Sequence, residues 1–155
     1  MDNFMPHVNE QQLLHLVDDF IHTARSRYSA FEAVIRLLVS NYRHFNWAGI
    51  YLLEDGILQL GPYIGDPSPH VSIPIGEGVC GAAVREGKTI VVPDVNADNR
   101  YLACSLSTKS EIVVPIRKNN EIVGEIDIDS DEPDAFKDYD REILELVAAK
   151  LGNIF

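Results

Sequence analysis

The chain has 155 residues, 46% of them apolar and 24% charged, so it is large enough for one hydrophobic core and too apolar for a disordered segment. Its 13 basic and 24 acidic residues give a net charge of −11, which disfavours nucleic acid and anionic lipid as partners. Because the start is acidic and polar and no apolar run approaches the ~20 residues of a spanning helix, we expect a cytoplasmic protein without a membrane partner.

Two helices are predicted at the start of the chain, within residues 10–42. Apolar residues in 10–24 recur at helical spacing and form one face. Ser29 and Glu32 fit a capping box, which predicts that the second helix starts at Ser29.

The pattern changes at Trp47 to the aromatic and β-branched residues that are typical of strands. The first two strands flank Asp55-Gly56, a dipeptide that indicates a tight hairpin turn. A short helix stopped by Gly87 follows the third strand. Residues 118–120 join the last two strands into a second hairpin. The predicted strands are 47–54, 57–65, 70–75, 89–95, 111–117 and 121–129.

A third long helix, 138–152, follows the strands and carries apolar residues at helical spacing. Strands that adjoin as hairpins favour an antiparallel sheet, and helices from both ends of the chain can then cover one face of it. We therefore predict an α+β fold with one domain over residues 1–155. A central antiparallel sheet of about six strands, with its pocket loops, occupies residues 46–130.

The glycine-rich segment 76–81 has the letters GxGxxG, which in another context mark a dinucleotide-binding loop. Pro74 in the preceding strand and the short helix that follows argue against the parallel β-α-β unit that such a loop needs. We therefore predict a strand-to-helix turn, whose free amides would favour an anion or a thiolate at Cys80. The histidines and cysteines show no metal-site spacing, and we expect neither a metal nor a cofactor.

Acidic residues cluster in the last predicted strand. Strand alternation places Glu125, Asp127 and Asp129 on one face and the isoleucines between them on the other. Facing solvent, these carboxylates would form a charged exterior, which is the commoner case. Facing a buried pocket, one of them would have a raised pKa and could donate a proton or hold a substrate ammonium group.

Whether Glu111 joins these carboxylates depends on the register of the second hairpin. Pairing symmetric about Asn119 places Glu111 opposite Asp127, whereas a two-residue turn at Asn119-Asn120 shifts the register by one and turns Glu111 away. The sequence leaves both registers open.

The chain has two cysteines, Cys80 and Cys104, which are too few for a disulfide framework. A lone cysteine is usually an inert small hydrophobe. Both of these lie in glycine-rich or polar loops and accompany clustered carboxylates, which favours a redox role without excluding the inert one.

Several segments together resemble the free methionine-(R)-sulfoxide reductase family, whose members are stand-alone GAF domains. The resemblance runs from about Trp47 to the final helix and includes two preceding helices, as in the family. The glycine turn and the Pro-Asp-Val loop are common to many GAF ligand sensors, whereas the tryptophan, the Ala-Cys loop, Ser-Glu-Ile-Val and Asp-Ile-Asp-Ser are more specific. The segments are 46–51, 60–62, 76–81, 93–95, 103–105, 109–115 and 127–130.

Position by position, the resemblance implies that Cys104 is the nucleophilic thiol and Cys80 a resolving thiol. It implies that Trp47 contacts the methylsulfinyl end of free methionine sulfoxide. It also implies that Glu111 turns inward, which favours the pairing symmetric about Asn119 or a β-bulge in the hairpin. The further substrate-binding residues that it implies are Tyr51, Glu111, Asp127 and Asp129.

The implied reaction needs these residue types. A thiolate attacks the sulfoxide sulfur as a carboxylic acid protonates the departing oxygen, and the remaining carboxylates hold the free ammonium group. The resulting sulfenic acid condenses with a second thiol to a disulfide, which thioredoxin or another thiol reductant restores to thiols. Members of the family often form homodimers, so the resemblance also implies a homodimer.

One departure from the family affects the recycling of the thiols. A third cysteine usually stands just before the strand that enters the glycine turn, where this chain has Ser-Pro-His-Val at 68–71. Three routes stay open: Cys80 alone reaches Cys104, an external thiol reduces the sulfenic acid, or the protein binds without turnover. The alternatives to the reductase are a non-catalytic GAF module for a small cytosolic ligand and a redox-sensing domain.

Overall fold

The computed structural model describes residues 7–102 and 106–155. Within these ranges the chain forms a six-stranded sheet and four α-helices, and the predicted α+β class is confirmed. The strands are β1 (Trp47–Glu54), β2 (Ile57–Ile64), β3 (Ser72–Pro74), β4 (Ile90–Val92), β5 (Ser110–Lys118) and β6 (Glu121–Ser130). The helices are α1 (Glu10–Thr23), α2 (Arg27–Asn41), α3 (Gly78–Glu86) and α4 (Asp138–Leu151).

The strand order is β3-β2-β1-β6-β5-β4, and all neighbouring pairs are antiparallel. The two predicted hairpins are β1-β2 and β5-β6. Asp55 and Gly56 both have positive φ, as a two-residue hairpin turn requires. Pairing of β1 with β6 then joins the two hairpins and brings Trp47 opposite Asp129.

The two faces of the sheet are covered by different helices. As predicted, the helices from both ends of the chain, α1, α2 and α4, pack on one face against residues such as Ile50, Ile112 and Ile128. On the opposite face α3 packs over β5 and β6, and its Cys80 lies among residues that include Tyr51. Strand alternation therefore directs the isoleucines of β6 to the long helices and its acidic residues to α3.

The second helix begins earlier than predicted. Its N-cap is Ser26, whose hydroxyl accepts a hydrogen bond from the Ser29 amide, and its first residue is Arg27. The predicted start at Ser29 is wrong because Ser26 and Ser29 cap each other and satisfy the first free amides. Glu32 instead forms an ion pair with Arg36, one turn further along the helix, at 3.0 Å.

The short elements around the glycine turn differ from prediction in their lengths. β3 ends at Pro74 and β4 ends just before Pro93, because proline has no amide hydrogen to donate to a neighbouring strand. α3 ends as predicted at Gly87, which has a φ of 67°, but it already begins at Gly78. None of the helices in the described parts of the chain has the length and the apolar character needed to cross a membrane.

Candidate active site

A β-bulge sets the register of the second hairpin. The turn consists of two asparagines with positive φ, Asn119 and Asn120, which is the two-residue turn that was predicted to point Glu111 away from Asp127. Just beyond it, Arg117 pairs with Ile122. Its neighbour Ile116 pairs with Gly124, so Val123 is an extra residue in β6.

The bulge reverses the effect of the two-residue turn on Glu111. An extra residue in one strand exchanges the faces of all later pairs, so Glu111 lies opposite Asp129 and on the same face as Asp127. The observed register is therefore neither of the two derived from the turn, and the bulge that the family resemblance gave as an alternative is confirmed. The turn has the length that predicted an outward Glu111, and the bulge turns this side chain inward.

Four carboxyl groups of this face are buried. Glu111, Glu125, Asp127 and Asp129 each expose 4% of their surface or less, so a charged exterior is the wrong interpretation. Burial is the main cause that raises the pKa of each above its ordinary value, because the charged form loses its hydration. Like charges so close to one another cannot all be present at neutral pH.

Glu111 is one of the groups of this cluster whose surroundings favour the protonated form. Burial, followed by the charges of Asp127 and Asp129, raises the pKa of Glu111 well above its usual value. Burial also raises the pKa of Asp127, but hydrogen bonds with Glu111 and Cys80 act in the opposite direction. A neutral Glu111 that donates a hydrogen bond to an ionised Asp127 agrees with the raised pKa of Glu111 and with the lowering effect of this bond on the pKa of Asp127.

Cys80 lies beside this pair as a free, buried thiol in the first turn of α3. Its Sγ and one carboxyl oxygen each of Glu111 and Asp127 lie within 4.8 Å of one another. Burial and the charges of Asp127, Glu125 and Glu111 raise the pKa of Cys80 well above its usual value. These effects oppose the stabilisation of a thiolate by the backbone amides of this helix start.

The spacing of Cys80, Glu111 and Asp127 suits groups that share protons, and it would also allow them to surround a cation. Spacing in the sequence could not reveal this trio, because its members come from α3, β5 and β6.

Trp47 is held in place by the β1-β2 hairpin. Its Nε1 donates a hydrogen bond to the carbonyl oxygen of Asp66 at 2.9 Å, and its ring stacks on Tyr63. Gly49 and Gly65 flank the indole, and an added Cβ would lie only 2.6 Å and 2.5 Å from its ring atoms. The two glycines therefore leave the space that the indole occupies.

A cavity of about 140 Å³ opens between Trp47 and Asp129, which suits a ligand smaller than a drug-sized molecule. A cleft of about 10 Å³ adjoins Cys80, Glu111 and Asp127. The cavity is lined by Asn46, Trp47, Gly65, Asp66, Ser107, Thr108, Asp129 and Asp131.

Most of the predicted site residues meet on this one face of the sheet. Tyr51 borders the cleft, and its hydroxyl donates a hydrogen bond to the carbonyl oxygen of His70 at 2.7 Å. Cys104 lies outside the described residues. The predicted residues that the structure brings together are Trp47, Tyr51, Cys80, Glu111, Asp127 and Asp129.

Other residues of the site were missed from the sequence. His70 borders the cleft, and Asn46 and Thr108 border the cavity. Asn46 stands in a motif segment and His70 in the segment that departs from the family, but neither received a role, and no local pattern marks Thr108. Glu125 did carry a signal, since it shares the alternation of Asp127, but it received no role.

Comparisons with known proteins agree on one family. The GAF domain model matches residues 27–155. The free methionine-R-sulfoxide reductase of Escherichia coli is 41% identical over 118 residues, which cover 76% of this chain and 71% of that protein.

Two solved structures are similar to the whole chain. The fRMsr of Staphylococcus aureus in its reduced form superposes with a TM-score of 0.87 at 40% identity, covering 99% of this chain and 98% of that one. The free methionine-R-sulfoxide reductase of Neisseria meningitidis in complex with its substrate superposes with a TM-score of 0.90 at 28% identity, covering 100% and 96%.

Proposed function

Since the chain belongs to the free methionine-(R)-sulfoxide reductase family of GAF-domain proteins, we propose that it reduces free methionine-(R)-sulfoxide to methionine. The family resemblance stated from the sequence is confirmed. The observation that carries the proposal is the buried Glu111–Asp127 pair next to the Cys80 thiol, on the same face of the sheet as Trp47.

Cys104 is the proposed nucleophile. Its neighbours in the described part of the chain support this assignment: Leu102 borders the cleft that holds Cys80, and Ser107 borders the cavity that holds Trp47. In the sequence, Cys104 is therefore within three residues of a residue that borders the cleft and of one that borders the cavity. Its thiolate would attack the sulfoxide sulfur, and the sulfur–oxygen bond of the substrate would break.

Glu111 is the proposed proton donor for the departing oxygen. Sulfoxide oxygen leaves poorly unless it is protonated, and a carboxylic acid that stays neutral near pH 7 is suited to this task. Burial and the neighbouring carboxylates raise the pKa of Glu111 in this direction. The oxygen passes to the Cys104 sulfur to form a sulfenic acid, the transient bond between the two sulfurs breaks, and the substrate leaves as methionine.

Asp127 and Asp129 are proposed to select the free amino acid. One oxygen of each has no hydrogen-bond partner among the described residues, so each has an acceptor left for a ligand. Asp129 borders the cavity and faces Trp47 across the β1-β6 pair. An ammonium group between these acids would be favoured there, whereas the uncharged nitrogen of a peptide-bound residue would not.

Recycling is proposed to run through Cys80. This thiol would close a disulfide with the Cys104 sulfenic acid, and thioredoxin or a similar thiol would reduce it. His70, from the segment that lacks the third cysteine, borders the Cys80 cleft. A cycle that depends on a thiol reductant suits the reducing cytoplasm, where we propose that the protein acts. The family resemblance separately implies a homodimer.

The purified chain with dithiothreitol is expected to convert free methionine-(R)-sulfoxide to methionine and to leave the S epimer and N-acetylmethionine sulfoxide largely unchanged. Cys104→Ser is expected to abolish turnover. Ligand binding without turnover would favour the non-catalytic module. A Cys80–Cys104 disulfide formed with peroxide, in a chain that makes no methionine, would favour the redox sensor.

A further inference from the structure

The buried acids of the candidate active site have no basic partner in the described parts of the chain. The ion pairs that form there join other residues, and none of their lysine, arginine or histidine side chains reaches Glu111 or Asp127. Buried charges in proteins are normally paired or coordinate a metal ion. The site therefore has no positive charge of its own, and a bound cation could supply one.

Three ligand atoms of this site lie close together. The Sγ atom of Cys80 and one carboxyl oxygen each of Glu111 and Asp127 all lie within 4.8 Å of one another. Ligand atoms that share a zinc ion lie roughly 3.5 Å apart, since zinc binds oxygen at about 2.0–2.2 Å and sulfur at about 2.3 Å. Small rotations of the three side chains would therefore place their ligand atoms around one ion.

Asp127 has an oxygen that is available to a ligand. Its side chain borders the same cleft as Cys80 and Glu111, and the residue exposes only 2% of its surface. Its Oδ1 atom has no hydrogen-bond partner among the described residues. The cleft has a volume of about 10 Å³, which is close to the space that one water-sized occupant needs. The cleft therefore suits a single ion better than an organic ligand.

We propose that Cys80, Glu111 and Asp127 bind a divalent cation, with Zn²⁺ as the best match, and that the bound ion inhibits the enzyme. One thiolate and two carboxylates carry three negative charges and combine a soft ligand with two hard ones. This combination suits zinc, whereas magnesium and calcium prefer oxygen ligands alone. The protons that Cys80 and Glu111 carry pass to solvent when the metal binds, and no atom is oxidised or reduced.

The inhibition rests on the proposed function, whereas the binding of the ion does not. Zinc on Cys80 would block the resolving thiol, and zinc on Glu111 would displace the proton that the departing oxygen needs. Zinc on Asp127 would occupy an acid that is proposed to hold the substrate ammonium group. A chelator that removes the ion would restore all three groups, so the inhibition is reversible.

Cobalt is the probe for the metal site, because Co²⁺ occupies zinc sites and its thiolate complexes have a charge-transfer absorption band that Zn²⁺ lacks. The measurements use the full chain with the substitution Cys104→Ser, in which Cys80 is the one remaining cysteine. The band then reports on Cys80 alone. We expect a band that saturates at one cobalt ion per chain and disappears when Zn²⁺ displaces the cobalt.

Substitutions of the carboxyl groups distinguish this site from binding to the thiol alone. In the same Cys104→Ser chain, Glu111→Gln and Asp127→Asn are each expected to weaken cobalt binding tenfold or more, and Cys80→Ser to abolish the band. The matched control is Glu121→Gln, which changes an exposed acid at the start of β6 and should leave the affinity within twofold. Circular dichroism checks the fold of each variant. Absence of the band, or an affinity that stays within threefold in both carboxyl variants, would overturn the inference.

A single turnover tests the inhibition separately. The reduced wild-type chain, freed of reductant, is incubated with one equivalent of Zn²⁺ before free methionine-(R)-sulfoxide is added, and methionine is measured by chromatography. Zinc is expected to lower the rate of methionine formation tenfold or more, and EDTA to restore it. An unchanged rate at a zinc concentration that displaces cobalt would overturn the inhibition. If the chain forms no methionine without zinc, the proposed function fails, and the cobalt band still decides on the metal site.

Discussion

Glu111 lies directly opposite Asp129 across the β5-β6 pair because one extra residue, Val123, bulges from β6. Both side chains thereby share a buried face with Asp127, and three carboxyl groups at such short range cannot all ionise. An irregularity of a single residue in a hairpin thus decides whether this site has a proton to donate.

Glu111→Gln is expected to lower kcat/KM for free methionine-(R)-sulfoxide by about 10²-fold or more, because an amide cannot protonate the departing oxygen. Wild-type activity should fall as pH rises through the raised pKa of Glu111, and this alkaline decline should be absent from the variant. A coupled assay over a range of pH values measures the loss in kcat/KM and the alkaline decline. Glu121→Gln is the control, and a loss of less than threefold in Glu111→Gln would contradict the donor role.

Gly65→Ala is expected to raise KM about tenfold or more, because the new Cβ would displace the Trp47 indole, which lies 2.5 Å away. Gly56→Ala is the matched control. Both glycines have positive φ, so both alanines carry backbone strain, but beyond the chain neighbours no described atom lies within 4 Å of the Cβ at Gly56. Steady-state kinetics compare the two variants, and equal KM values would show that the indole position is unimportant.

Glu125→Leu is expected to stabilise the chain at pH 8 by about 1–4 kcal/mol, because it removes a buried carboxyl group without a described partner. The folded-state pKa of Glu125 is raised above its unfolded value. Its contribution to stability is therefore fully present below the unfolded pKa and is lost as pH rises through the folded one.

Urea denaturation at pH 5 and pH 8 measures this effect. The free energy of unfolding of the wild type should decrease over this interval, and the decrease should be smaller in Glu125→Leu. A variant that is less stable than the wild type at pH 8 would show that Glu125 has a stabilising partner.

His44→Ala is expected to lower the free energy of unfolding by about 1–3 kcal/mol, because it removes a partner of the fully buried Asp140. His44 Nε2 lies 2.8 Å from one Asp140 oxygen, and the other oxygen accepts the Lys137 amide at 2.8 Å. The pair lies outside the catalytic face, so KM should stay within twofold of wild type. Thermal denaturation and kinetics measure these effects, with the exposed His15→Ala as control.

Most of the architecture was predictable from short stretches of sequence. The turn at Asp55-Gly56 and the alternation around Asp127 and Asp129 are local properties, since a strand exposes every second residue to the same face whatever lies beyond it. The helix start at Ser29 was wrong by a few residues because two serines can form the same cap as a serine and a glutamate.

The sequence by itself determined the fold class, the acidic face of β6 and, through its motifs, the family. Only the tertiary structure decided that this face is buried under α3 and that a bulge at Val123 turns Glu111 toward it. It also decided that burial and nearby carboxyl groups raise the pKa of Cys80. The reason is physical: protonation depends on burial and on charges brought from distant segments, and neither is encoded in the neighbours along the chain.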